Sequence, residues 1–355
     1  MMDRNTLPVT LVTGFLGAGK TTLLNHLGRS GALADTLVVI NEFGQVGLDH
    51  LLMIEAKDEL VVELSNGCVC CTLHGDLKRA LLGAFDARAQ AGQASFRRVV
   101  IETSGVSDPS SIAQALAADP MLRRVFHLEA VVTLIDALQG ADTLASFEEA
   151  SAQVALADLI MITKADLAAP SALASLQEEL AARNPFAKIS EAREGHIPPE
   201  EIFDRDLSLR RPLLDLGELP PSWSPSPIGH VGGPMGLTGM AVPAGRSHGE
   251  RYQVLSFEST LPLSRTAIEG WFGTVLPMLG ANVLRYKAII NLEDHHEPLV
   301  LHSVQGVPSP AVWLESWPAG QRCSRMIFIS EKTVEPLIKP GLDAFFARSF
   351  VSNSA

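Results

Sequence analysis

No apolar run in this 355-residue chain approaches the roughly 18 residues of a membrane-spanning helix, although hydrophobic residues make up 46% of it. The sequence therefore excludes a transmembrane helix and leaves its apolar residues for large internal cores. Positive charge is short. The 28 Lys and Arg against 40 Asp and Glu give a formal net charge of −12, which argues against a nucleic-acid surface. The N-terminus runs almost directly into the first strand-like stretch, leaving no room for a signal peptide, so a cytoplasmic protein is expected. No internal repeat is visible. Cysteine is scarce, four in all, yet three of the four stand in Cys68-Val69-Cys70-Cys71. So tight a cluster in a cytosolic chain points to metal or redox chemistry rather than structural disulfides.

Against those absences stands one dense signal. Gly14-Phe15-Leu16-Gly17-Ala18-Gly19-Lys20-Thr21-Thr22 matches the phosphate-binding loop G-x-x-x-x-G-K-[ST]. Glycines let backbone N–H groups turn inward around phosphate oxygens where a Cβ would crowd them. Lys20 can reach the β- and γ-phosphates, and the Thr21 hydroxyl can ligate Mg²⁺. The strand-like run 8–13 precedes the loop. An apolar-periodic helix follows it and presents its positive N-terminus to the anion. This pattern predicts a nucleoside triphosphate site.

Residues 7–190 alternate short apolar runs with helical patterns, as a doubly wound α/β domain does. Strands are expected at 8–13, 37–42, 59–64, 97–102, 129–135 and 158–163, with helices such as 110–118, 146–156 and 171–183. The continuous runs 98–101 and 130–135 suit strands buried on both faces of a mostly parallel sheet. Residues 212–246 hold seven prolines and seven glycines with little periodicity and read as an irregular linker or loop. Beyond it, strand-like runs at 251–257, 283–292, 298–304, 311–316 and 325–329 stand apart from helical stretches at 263–279 and 333–348. The expected domains are a nucleotide-binding domain over 1–211, a Pro/Gly-rich linker over 212–249 and a smaller α+β domain over 250–355.

Further strand ends carry polar residues suited to a nucleotide. Glu102-Thr103-Ser104-Gly105 follows the fourth strand. A carboxylate there lies at the crevice where open α/β sheets bind ligands, and Glu102 could act on Mg²⁺ or place the attacking water. Gly105 could let its N–H approach the γ-phosphate. Thr163-Lys164-Ala165-Asp166 follows the sixth strand and resembles the N-K-x-D base-reading motif of GTPases, with Thr163 where asparagine is usual. The Asp166 carboxylate can accept from guanine N1–H and the 2-amino group together. Adenine offers an acceptor at N1 and has no 2-amino group, so guanine is favoured. The Lys164 stem can lie over the base. Asn41-Glu42-Phe43-Gly44 ends the second strand where γ-phosphate-sensing loops often sit, with Glu42 and Asp49 as carboxylates on it.

The cysteine cluster follows the third strand. In an extended chain Cys68 and Cys70 face one way and Cys71 the other. Two thiolates on one side are half a tetrahedral site for Zn²⁺ or Co²⁺, with Glu42, His74 and water as candidates to complete it. No second pair closes the site, which suggests a transferable metal. Redox-active thiols, or small buried residues, are the alternatives. Cys323 reads as structural, His295-His296 as a solvated hairpin, and the four tryptophans as core.

Taken together, Gly14–Thr22, Asn41–Gly44, Glu63–Cys71, Glu102–Gly105 and Thr163–Asp166 make the chain resemble the CobW-type metallochaperone GTPases, SIMIBI-class relatives of HypB, UreG and MeaB. In the C-terminal half, Leu284–Ile290 and Leu299–Gln305 resemble that family's second domain. The resemblance implies Mg²⁺-dependent GTP binding, slow hydrolysis to GDP and phosphate, and metal held at the cysteines and released to a client protein. It assigns Lys20 and Thr21 to phosphate and Mg²⁺, Glu102 to the Walker B role, Asp166 to guanine, and Cys68, Cys70 and Cys71 to metal. The histidine-rich tract of many zinc-linked members has no counterpart between these domains. The expectation is a GTPase coupling hydrolysis to delivery of Zn²⁺ or Co²⁺ to a client metalloprotein, with no nucleic-acid or membrane partner. A GTP-timed client chaperone that carries no metal, a small-molecule kinase and a thiol redox sensor are the rivals.

Overall fold

In a computed structural model of the chain, the apolar runs of the N-terminal half pair as a single parallel sheet. The structure describes residues 6–40, 60–63, 72–192, 197–203, 238–241, 251–304, 307–308, 311–317 and 322–351. The chain divides into two units, Asp3–Leu209 and Arg210–Ala355 with Met1–Met2.

In the first unit the order along the chain is β1 (Leu7–Gly14), α1 (Lys20–Arg29), β2 (Thr36–Ile40), β3 (Leu60–Glu63), α2 (Thr72–Gln90), β4 (Arg98–Glu102), α3 (Ser110–Ala118), α4 (Pro120–Val125), β5 (Phe126–Asp136), α5 (Gly140–Ser146), α6 (Glu148–Leu156), β6 (Leu159–Thr163), α7 (Pro170–Arg183), β7 (Lys188–Glu191) and α8 (Pro199–Ile202). The seven strands lie in the order β3-β2-β4-β1-β5-β6-β7, and every pair is parallel. Buried β-branched and leucine residues fill the central strands. β2 and β6 are buried at every position, as strands covered by helices on both faces must be. The chain winds outward from β1 to one edge through β2 and β3, returns at β4, then builds the other half from β5. The reversal falls at β1, where open α/β sheets form their ligand crevice.

The second unit is antiparallel. It contains β8 (Thr238–Ala241), β9 (Tyr252–Ser259), α9 (Arg265–Gly270), α10 (Leu276–Leu279), β10 (Val283–Ile290), β11 (Leu299–Val304), β12 (Val307–Pro308), β13 (Val312–Trp313), β14 (Ser324–Glu331) and α11 (Glu335–Val351). The sheet order is β12-β11-β10-β14-β9-β8, with β13 also on β11. Alternate residues Tyr286, Ala288 and Ile290, with Phe257, Met326 and Phe328, pack against Trp271, Ile338, Leu342 and Phe346. This is the period-two face of an α+β layer. The expected fold class holds for both units.

Several element bounds differ from the sequence reading, each for a physical cause. The helix expected at 146–156 starts two residues later, at Glu148, because Phe147 takes an extended conformation (φ −129°, ψ 122°), with its ring 4.4 Å from that of Phe15. The helix expected at 263–279 contains a π-turn over Trp271–Val275 just before Pro277. A proline without an N–H disturbs the regular ladder one turn back. Strand β7 had no apolar run to announce it, being a short, half-buried edge. Part of the Pro/Gly-rich stretch, Thr238–Ala241, joins the second sheet beside β9. Of the tryptophans read as core, Trp271 is fully buried, whereas Trp313 is 43% exposed and stacks on His295.

Candidate nucleotide site

The phosphate loop leaves β1 at Gly14 and enters α1 at Lys20. Gly14, Gly17 and Gly19 have φ of 140°, 76° and 96°, a sign of φ that L side chains rarely adopt. At Gly14 an added Cβ would lie 2.4 Å from the Leu134 carbonyl oxygen on the neighbouring strand. Glycine is therefore required here twice over. Ala18 is buried at 2%, and Thr22 is exposed on the first turn of α1. Lys20 is 8% exposed, and its Nζ donates to the Gly14 carbonyl at 2.7 Å and the Phe15 carbonyl at 3.3 Å. The loop thus folds around its own lysine.

Three strand ends, those of β4, β5 and β6, bring side chains to this loop. At the end of β4, Glu102 is buried at 6%, and Thr21 Oγ1 donates to its Oε1 at 3.5 Å. A hydroxyl beside a carboxylate is a hard-oxygen pair suited to Mg²⁺. Thr103 continues the ladder through N–H to Val12 O at 2.9 Å, and its hydroxyl meets Thr13 Oγ1 at 2.7 Å. These bonds fix Gly105 so close to the loop that a Cβ on it would stand 2.8 Å from Leu16 N and 3.0 Å from Leu16 Cα.

At the end of β6, Thr163 Oγ1 lies 2.9 Å from Ala18 O and 3.2 Å from Ile135 O. The threonine in place of asparagine ties the 163–166 loop to the phosphate loop. Lys164 has φ 56°, a left-handed conformation that costs a non-glycine residue about 1–3 kcal/mol. Its ammonium offsets that cost by pairing with Asp136 Oδ2 at 2.6 Å and donating to Gly17 O at 3.2 Å. Asp166 is exposed on the short 3₁₀ turn that follows.

Two residues at this site were not singled out in the sequence. Asp136 ends β5, and its other oxygen accepts from Leu138 N at 2.8 Å. Its signal was a carboxylate closing a continuous apolar run, as Glu102 does. Gln153 on α6 holds the loop beyond Glu102 and gave only a lone glutamine among apolar neighbours.

The metal-site expectations Glu42, Cys68, Cys70 and Cys71 lie outside the described residues, as does the side chain of His74. Among the described residues no group of three or more His, Cys, Asp or Glu could hold a metal ion. Their points of attachment are defined. Ile40, the last residue of β2, is in register with Glu63 at the end of β3 and with Glu102 at the end of β4. Ile40, Glu63 and Glu102 thus end three adjacent strands, about 4.8 Å apart in the pairing direction. Elsewhere, Cys323 is 8% exposed, and burial pushes its thiol up, away from the reactive thiolate.

Comparison with known proteins fits this geometry. The model of the family described as CobW/HypB/UreG, nucleotide-binding domain, matches residues 8–191. The chain belongs to the CobW/HypB/UreG family. A second model, for the cobalamin synthesis protein cobW C-terminal domain, matches residues 252–346. Zinc chaperone YjiA of Escherichia coli is 36% identical over 200 residues, which is 56% of this chain and 62% of that protein. Zinc chaperone CobW of Pseudomonas aeruginosa is 34% identical over 223 residues, 54% of this chain and 58% of that one. Zinc-regulated GTPase metalloprotein activator 1 of Schizosaccharomyces pombe is 34% identical over 208 residues, 56% and 49% respectively. The chain thus spans about half to three-fifths of the length of these relatives. The solved structure of Zn(II)-bound YjiA GTPase from E. coli superposes with a TM-score of 0.68 at 24% identity, over 97% of this chain and 99% of that one, a likeness of fold. Among the described residues no helix is long and apolar enough to cross a membrane.

Proposed function

We propose that this CobW-family chain is a Mg²⁺-dependent GTPase that carries a transition metal, Zn²⁺ or Co²⁺, at Cys68, Cys70 and Cys71 and hands it to a client metalloprotein. The observation that carries the reading is that Ile40 and Glu63, after which the switch and cysteine sequences follow, end strands in register beside Glu102, whose strand β4 borders β1 and its phosphate loop.

The residues fit a Mg·nucleotide. Glycines with positive φ, and a Gly105 position that a Cβ would fill, make a backbone cradle for phosphate oxygens. Bound Mg²⁺ would supply charge neutralisation at the β- and γ-phosphates. Lys20 would exchange its loop carbonyls for phosphate oxygens, and Thr21 with Glu102 would hold the hard cation. Glu102 would also orient the attacking water. Asp166 would accept from guanine, with the Lys164 stem held over the base by Asp136 and Gly17 O.

Coupling would follow from the topology. A γ-phosphate that orders the segment after Ile40 would bring Glu42 toward Cys68 and Cys70 and complete a thiolate–carboxylate site. Hydrolysis would release that segment and loosen the metal. The zinc named for the three curated relatives supports Zn²⁺ as cargo. The second reading, GTP as a timer for client assembly without metal carriage, predicts full activity in a cysteine-less variant.

The nucleotide half is tested by hydrolysis and affinity. Lys20→Ala is expected to abolish GTP turnover, and Asp166→Asn to weaken GTP by tenfold or more while leaving ATP, already poor, unchanged. Equal use of ATP and GTP by the wild type would overturn the guanine assignment.

A further inference from the structure

Helix α6 buries a glutamine, Gln153, at 0% exposure among alanine, valine and leucine. A polar side chain buried that deeply is kept for its hydrogen bonds. Gln153 Nε2 donates to Gly105 O at 3.1 Å and to Ser107 O at 3.1 Å. Both carbonyls belong to the loop that follows Glu102. On its other side the same loop rests on the phosphate loop, where a Gly105 Cβ would meet Leu16 N at 2.8 Å. The loop is therefore clamped between Leu16 and the Gln153 amide.

Helix α6 is anchored by backbone contacts separate from the amide. Thr133 Oγ1 on β5 donates to the Gln153 carbonyl at 2.8 Å. Asn184 Nδ2 donates to Val154 O at 2.7 Å and Ala157 O at 2.9 Å, closing the C-terminus of α6. The amide's orientation is fixed by its neighbours, because a flipped group would set its oxygen against two carbonyl oxygens. Gln153 Oε1 is buried and finds no hydrogen-bond donor among the described residues. An unpaired interior acceptor is a cost to folding. Leucine would fill this position without that cost, so the side chain is retained for its two donors.

We propose that Gln153 is a positioning residue for γ-phosphate recognition. Its amide holds the Gly105–Ser107 loop against the phosphate loop in the arrangement that receives a triphosphate, and so sets the preference for triphosphate over diphosphate. This inference rests on the nucleotide-site reading above.

The test measures Kd for Mg·GDP and for Mg²⁺ with a non-hydrolysable GTP analogue on the full chain. Wild type, Gln153→Met and Gln153→Glu are compared with Thr133→Val. Gln153→Met removes both donors, and Gln153→Glu keeps at most one, the O–H of a carboxyl that burial holds protonated. Thr133→Val loosens the same helix but leaves the amide in place. The preference for the analogue over GDP is expected to fall about 5- to 30-fold in the Gln153 variants, the effect of one to two ordinary hydrogen bonds. Thr133→Val should lower the melting temperature and leave the preference unchanged. A Gln153 variant that weakens both nucleotides equally, or a Thr133→Val that shifts the preference as far, overturns the role of Gln153. A wild type that binds neither guanine nucleotide overturns the nucleotide reading itself. Hydrogen exchange over residues 103–110 of the wild type needs no variant. Slower exchange with the analogue than with GDP is expected, and identical rates contradict the clamp.

Discussion

Gly14 gives the most direct physical test of the phosphate loop. Gly14→Ala places a methyl group 2.4 Å from Leu134 O, 3.1 Å from Leu134 N and 3.2 Å from Leu134 C. These atoms are backbone. Gly14 and Leu134 are partners in the β1–β5 ladder, so the carbonyl cannot retreat without disturbing the centre of the sheet. The overlap costs about 1–3 kcal/mol. Alanine at φ 140° adds about 1–3 kcal/mol of backbone strain. Restricting the unfolded chain returns about 0.4–1 kcal/mol. The expected loss is about 1–5.5 kcal/mol, or about 2–22 °C in Tm for a unit of this size. Gly31→Ala is the control. Its φ of 74° is similarly strained, but nothing lies within 4 Å of the added Cβ. That variant should lose about 1–2 kcal/mol. Urea unfolding followed by far-ultraviolet circular dichroism reads both. If Gly14→Ala loses no more than Gly31→Ala, the close approach of β5 does not constrain the loop and the reasoning fails.

Two further outcomes follow from the side chains. Asp136→Asn removes the charge that holds Lys164 in its left-handed conformation. A partly buried pair of this kind contributes about 1 kcal/mol, so the melting temperature should fall by about 2–4 °C, and GDP affinity by up to about fivefold as Lys164 is freed. Unaltered affinity would remove Asp136 from the site. In the second unit, burial pushes the Tyr286 phenol from 10.0 to about 12, with a hydrogen bond to Ser303 acting the other way. A phenol whose folded pKa is raised keeps its contribution to stability below pH 10. That contribution is lost as pH rises through about 12, because the unfolded chain ionises first. The loss is roughly 2–3 kcal/mol. Phenolate absorbance should show a late step that Tyr286→Phe abolishes, and a titration complete by about pH 11 would contradict this.

Much of the nucleotide site was legible because its chemistry is local. The glycine spacing of 14–19 encodes the positive φ values directly, and Lys20 and Thr21 follow on the same turn. The polar ends of continuous apolar runs marked Glu102 and Lys164. Asp136 and Gln153 were not legible because their roles exist only across the sheet, through partners 28 and 46–48 residues away. The start of the helix expected at 146–156 moved to Glu148 because Phe147 is extended with its ring against that of Phe15, a partner far away in sequence that no window of pattern can register. β7 escaped for a different reason. It is an edge strand with a half-exposed surface, so the apolar run that betrays a central strand is missing.

The coupling of nucleotide to metal is tested most directly by titrating Zn²⁺, then Co²⁺, against a chromophoric chelator. The full chain would be measured with Mg²⁺ and a non-hydrolysable GTP analogue, with Mg·GDP and without nucleotide, beside a Cys68→Ser/Cys70→Ser variant. The account predicts binding about 5- to 150-fold tighter with the GTP analogue than with GDP, the range of ordinary allosteric coupling, and loss of that tight binding in the variant. Equal metal affinity in all three nucleotide states, or tight binding that survives loss of both cysteines, would contradict it.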